Sequence, residues 1–141
     1  MATTSVHLRS IPGTKAAAGS SGAHTIRVDR PAGKAGGLGS GFNGGELLAL
    51  AIGGCLCNDL QYVAHEMSVD LTTVAVDVEV TFDGEPILAT SASVTLEVTS
   101  SDPDTNIDEL VRKAIESSTV SNSLKRGIDV RTTLRRSTHS K

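Results

Sequence analysis

Two cysteines, Cys55 and Cys57, are the side chains of this 141-residue sequence with the most chemistry to offer. The thiolate is the nucleophile, and a free cysteine with pKa near 8.5 is only a few per cent thiolate at neutral pH, less when buried in apolar surroundings. Nucleophilic use therefore needs a cation or hydrogen-bond donors beside the sulfur, and recycling needs a second thiol within reach. The two cysteines do not supply that pair within one helix. Residues i and i+2 point about 200° apart at about 100° per residue, so they cannot bridge. Cys57 reads as core, with a contact to another subunit as the alternative. Cys55, on composition alone, reads as a small buried hydrophobe. Asp59 and His65 follow it, but a Cys/Asp/His metal set at this spacing matches no ligand pattern, so neither metal nor cofactor is expected.

A second motif carries chemistry only in form. Gly39-Ser40-Gly41-Phe42-Asn43-Gly44 matches G-x-G-x-x-G ahead of a helix. The dinucleotide fingerprint needs a strand directly before its first glycine and a parallel unit around it. Here the nearest strand pattern ends about ten residues earlier, outside the span that fingerprint allows. The glycine-crowded stretch from Pro31 to Gly45 is read as a flexible connector.

The cysteines sit on a long helix that starts at Asn43. Asn43 can cap, and Glu46, three residues on, can reach back to the cap N–H. The pattern runs to about Glu66 or Met67, and its first half, Leu47 through Cys57, is apolar or small all round, as in a helix surrounded by protein. Gly53-Gly54 in mid-helix costs roughly 1 kcal/mol each relative to Ala, which implies a close helix–helix approach there. Before this helix, alternation at Val6 and Leu8, then at His24, Ile26 and Val28, predicts two strands pairing across a loop from Gly13 to Gly22. After it, Val74 to Phe82 and Ala92 to Val98 alternate around a turn at Asp83-Gly84-Glu85-Pro86. Ile107, Leu110, Val111, Ala114 and Ile115 mark a second helix, and Ile128, Val130, Thr132 and Leu134 a last strand. The order is ββ-α-ββ-α-β. The fold class is α+β, with an antiparallel sheet and two main helices, in a single domain spanning 1–141.

Composition narrows the function. With no Trp, one Tyr and two Phe, the chain lacks rings to stack bases, and at net charge −3 its basic residues are scattered apart from Arg135-Arg136. Nucleic-acid binding is not expected. The start shows no secretory pattern, and the longest apolar run, Leu47 to Ile52, is too short to span a membrane. A cytoplasmic protein with free thiols is the expectation. Tyr62 and Phe42 are read as packing residues.

The run Glu46-Leu47-Leu48-Ala49-Leu50-Ala51-Ile52-Gly53-Gly54-Cys55 resembles the central helix of the OsmC/Ohr family of thiol-dependent hydroperoxide reductases. Val120-Ser121-Asn122-Ser123-Leu124, followed by Gly127-Ile128-Asp129-Val130, resembles the family's second signature, where a cysteine closes a helix before the final strand. The resemblance covers nearly the whole chain. It implies an OsmC-like fold, an intertwined homodimer with central helices packed together, and active sites at the subunit interface. It also implies that Cys55 is the peroxidatic cysteine, attacking an organic hydroperoxide to give a sulfenic acid, assisted by an arginine and a glutamate. Arg30 is the chosen arginine. The assisting glutamate's place is taken by Gly45, with Glu46 next to it, and the second cysteine's place is taken by Ser118, which faces inward four residues after Ala114. A hydroxyl cannot form a disulfide, so the expected activity is of one-cysteine type with an external thiol or redoxin as reductant. The alternative is a diverged dimer that binds a small apolar ligand without peroxidase activity.

Overall fold

The computed structural model describes residues 1–137. Alternating β-branched residues give the long hairpin of β4 (Leu71–Asp83) and β5 (Leu88–Ser100), paired antiparallel with Val74, Val76 and Val78 opposite Val98, Leu96 and Val94. A separate antiparallel sheet has the order β1-β2-β3, formed by β1 (His7–Ser10), β2 (Ala17–Ser21) and β3 (His24–Val28). The helices are α1 (Gly44–Glu66), α2 (Ile107–Ser117) and α3 (Thr119–Arg126). The class is α+β with antiparallel sheets, as the sequence indicates.

Three elements differ from the expected order. The stretch read as a loop contains β2, which lies between β1 and β3, so those two do not pair directly. Its sequence, Ala-Ala-Gly-Ser-Ser, shows no apolar alternation. It fits because it is small: a Cβ on Gly19 would lie 3.5 Å from both the Leu8 and Ile26 side chains. The second helix is divided at Ser118, whose extended backbone (φ −68°, ψ 106°) ends α2 and begins α3. The last strand does not form within the described residues. Ile128, Val130 and Leu134 are 75%, 77% and 73% exposed, and among the described residues their alternation meets no strand to take its backbone donors and acceptors.

α1 begins with the expected reciprocal cap, Glu46 N donating to Asn43 Oδ1 (2.8 Å) and Asn43 N to Glu46 Oε1 (2.9 Å). The helix buries one face, made by Ile52, Gly53, Leu56, Leu60, Val63 and Ala64. Leu60 and Leu110 are fully buried at the centre, joined by Ala114 and flanked by Val74, Val76, Leu96 and Val98. Each such Leu contributes about 1.5–3 kcal/mol by leaving water. The helix is not enclosed on all sides. Leu50 is 51% exposed, and a Cβ on Gly54 would meet nothing within 4 Å. The close approach at Gly53 is to a strand rather than a helix, since its Cβ would lie 3.0 Å from Val78 Cγ2 and 3.5 Å from Val76 Cγ1. α1 is also long and apolar enough to cross a membrane, with mean hydropathy 1.4. Its apolar character on the inner face is accounted for by the core it builds with α2 and β4.

Candidate functional site

Helix geometry places Cys55 at the margin of the buried face, and the structure leaves it half-buried with a free thiol. Its Sγ donates to Asp59 Oδ2 at 3.5 Å, one turn further along the helix. That neighbour is an acceptor and does not supply the cation that a thiolate needs beside it. Cys57, expected in the core, is a half-buried free thiol on a different face, in a shallow groove with Leu50, Gly53, Gly54, Val76 and Val78.

The other two residues chosen for catalysis are engaged elsewhere. The Glu46 carboxylate is held in the helix cap. The Arg30 guanidinium lies 3.3 Å from Asp29 Oδ1 and donates from the same Nη2 to the Lys15 carbonyl, while its Nε is buried without a partner. At Gly45, where the family resemblance calls for a glutamate, an added Cβ would lie 2.9 Å from the Phe82 ring. A larger side chain there requires that ring to move.

Asp29 was not singled out by sequence reasoning. Its side chain is 1% exposed and collects four backbone or hydroxyl donors: Arg30 N (2.8 Å), Leu38 N (3.1 Å), Ser40 N (3.1 Å) and Ser40 Oγ (2.7 Å). The hydrogen bond from the Ser40 hydroxyl, followed by that from the Ser40 N–H, holds its carboxyl well below the usual carboxylate range. The glycine-rich stretch is therefore not a flexible connector but a loop wrapped on one carboxylate. Gly41 is needed where it packs on the Arg27 carbonyl, because an added Cβ would sit 2.2 Å from that oxygen. Phe42 then pairs back to β3, its N–H donating to Arg27 O and its carbonyl accepting from Asp29 N. The G-x-G-x-x-G stretch thus serves this turn. Its only advance signal was an Asp at a strand end ahead of a run of glycines.

Ser118 does face inward, as expected. It is 1% exposed, its Oγ has no partner, and it lines an open cleft of about 510 Å³ between α1, β5 and α3. Leu48, Ile52 and Leu56 form one wall, Val94 and Leu96 another, and Ser121 and Lys125 continue the α3 side. Tyr62 and Phe42, expected to pack, are 69% and 41% exposed and do not line this cleft. Among the described residues, no group of three or more His, Cys, Asp or Glu side chains is placed to hold a metal ion.

The family model for OsmC-like proteins matches residues 37–133. No curated protein matches the chain. Among solved structures, an OsmC-like protein of unknown function from Vibrio cholerae superposes with TM-score 0.74 at 11% identity, covering 87% of this chain and 94% of that one. An organic hydroperoxide resistance protein from Legionella pneumophila gives TM-score 0.61 at 23% identity, covering 89% and 90%. The organic hydroperoxide resistance protein OhrB of Bacillus subtilis gives 0.56 at 25% identity, covering 90% and 93%. The match spans the long helix with Cys55, the β4–β5 hairpin and the Ser118 cleft, and the chain belongs to the OsmC-like family.

Proposed function

We propose that this protein reduces organic hydroperoxides through Cys55, with a thiol or redoxin from outside the chain as reductant. The observation that carries the reading is the free, half-buried thiol of Cys55, the residue to which the family resemblance assigns the peroxidatic role, while Ser118 stands where that resemblance puts the second cysteine. The Cys55 sulfur attacks the terminal oxygen of the hydroperoxide and the O–O bond breaks. Sulfur keeps the OH as sulfenic acid, and the thiol proton leaves with the alkoxide as an alcohol. An external dithiol then returns Cys55 to the thiol, forming its own disulfide and water. Such recycling suits the cytoplasm, where thiol reductants are kept reduced. The direct test is intact-mass analysis after tert-butyl hydroperoxide treatment in the presence of a sulfenic-acid trap. One adduct at Cys55 is expected, unchanged in Cys57→Ser and absent in Cys55→Ser; an untouched Cys55 overturns the reading.

The working unit in this reading is a homodimer. Two surfaces support it: the outer side of α1, with Leu50 exposed and Gly54 open, and the alternating residues from Ile128 to Leu134, which have no strand partner within the described chain. Sedimentation equilibrium is expected to give twice the chain mass, and a monomer at micromolar concentration contradicts it.

A second reading has its own observation. The Ser118 cleft is mostly apolar, its size is that of small-molecule sites, and Cys55 does not line it. On this reading the protein binds a small apolar ligand there and consumes no peroxide with any reductant.

A further inference from the structure

We propose that the cleft between α1, β5 and α3 takes an aliphatic carboxylate, its head group on Ser118 and Ser121 at the start of α3 and its chain along Leu48, Ile52 and Leu56. The inference rests on the second reading above and names the ligand class it leaves open.

The first observation is at Ser118. This residue stands at the N-cap of α3, where a serine ordinarily turns its oxygen back onto the first-turn N–H groups. Here the side chain makes no cap bond. Its Oγ is buried and has no partner, and Ser118 lines the cleft. A buried hydroxyl without a partner is unfavourable, and natural structures that keep one have a use for it.

The second is the helix end itself. The first N–H groups of a helix have no partners within it, and α3 has neither a side-chain cap nor an acidic residue in its first turn. The partial positive charge at that end therefore favours an anion. Ser121, one turn on, lines the same cleft and adds a second hydroxyl.

Charge selects further. Lys125 is the one charged residue lining the cleft among the described residues, and no carboxylate lines it. A cationic ligand would find no counter-charge, whereas a monoanion meets two hydroxyls, a helix N-terminus and an ammonium group. Apart from Thr90 and Ser91 on β5, the remaining lining is aliphatic, which offers a hydrocarbon chain its burial and gives no ring to stack against.

Decanoate and decanol, compared by isothermal titration calorimetry on the full chain, test this. Decanoate is expected to bind the wild type roughly tenfold or more tighter than decanol. Ser118→Ala and Lys125→Gln should each weaken decanoate several-fold and leave decanol unchanged. Ser118→Ala removes a hydroxyl that bonds to nothing in the fold, so its melting temperature should not fall. A loss of decanoate affinity in that variant then reports the ligand contact rather than stability. Equal affinity for the two probes, or indifference to both substitutions, overturns the head-group assignment while the cleft reading stands. Binding of neither probe overturns both. Cys55→Ser should bind decanoate normally, so the outcome is separable from the peroxidase reading.

Discussion

Among the described residues, Asp29 and Ser118 are the two that are polar and buried, and they stand at opposite extremes. Asp29 sits where β3 enters the glycine-rich loop and is met by backbone N–H groups from three residues, a hydroxyl and a guanidinium. Ser118 sits where α2 gives way to α3 and is met by nothing. The first is a structural device, because the chain has arranged itself to satisfy it. The second was left open beside a cleft, although a cap bond was within one turn. A buried polar group is evidence of function mainly when the fold declines to satisfy it.

The comparison can be broken from either side. The largest effect lies in the core between α1, α2 and the β4–β5 hairpin. Leu110→Ala, at a fully buried position packed beneath α1, is expected to cost about 2–5 kcal/mol in chemical denaturation. A smaller loss would mean that the core repacks.

Asp29→Asn comes next. It keeps the shape but removes the charge and places an amide nitrogen against N–H donors, so the melting temperature should fall by several degrees at neutral pH. The folded pKa of Asp29 is lowered relative to the unfolded chain, so its contribution is fully present above the unfolded value near 4 and is lost as pH falls through the folded value. The wild type should therefore lose stability on acidification below about pH 4 more steeply than Asp29→Asn. Parallel acid limbs for the two proteins would show that the carboxylate is not the clamp.

Ser118→Ala should have the smallest effect and the opposite sign. Removing an unpartnered buried hydroxyl leaves stability unchanged or raises it, by up to about 1 kcal/mol. A clear destabilisation would mean that Ser118 is bonded in solution, and the contrast with Asp29 would collapse.

Much of this architecture was legible in the sequence wherever local pattern and tertiary need coincide. The β4–β5 hairpin was visible because Val74 to Phe82 present one apolar face. The start of α1 was visible because Asn43 and Glu46 satisfy each other within three residues. The inward aim of Ser118 followed from its place one turn after Ala114. What escaped depends on partners distant in the chain. β2 is held by two flanking strands and by the smallness of its residues, which leave no periodic trace. The Asp29 clamp closes on donors 9 and 11 residues away, so no short motif marks it. The Ile128–Leu134 alternation was read correctly as a pattern but wrongly as a completed strand, since a strand needs an edge to pair with.

The site was legible to a lesser degree. Cys55 was found from family spacing; Asp59, one turn further along the helix, was weighed only as a metal ligand, whereas the structure has it accepting from the Cys55 thiol. The choices of Arg30 and Glu46 rested on type and proximity in sequence. In the structure both are held by local partners, Asp29 and Asn43.

The most direct test of the central claim is steady-state consumption of tert-butyl hydroperoxide with dithiothreitol as reductant, comparing wild type, Cys57→Ser and Cys55→Ser. Turnover in the first two and none in Cys55→Ser is the predicted result. No consumption by the wild type, or turnover that survives in Cys55→Ser, would contradict it.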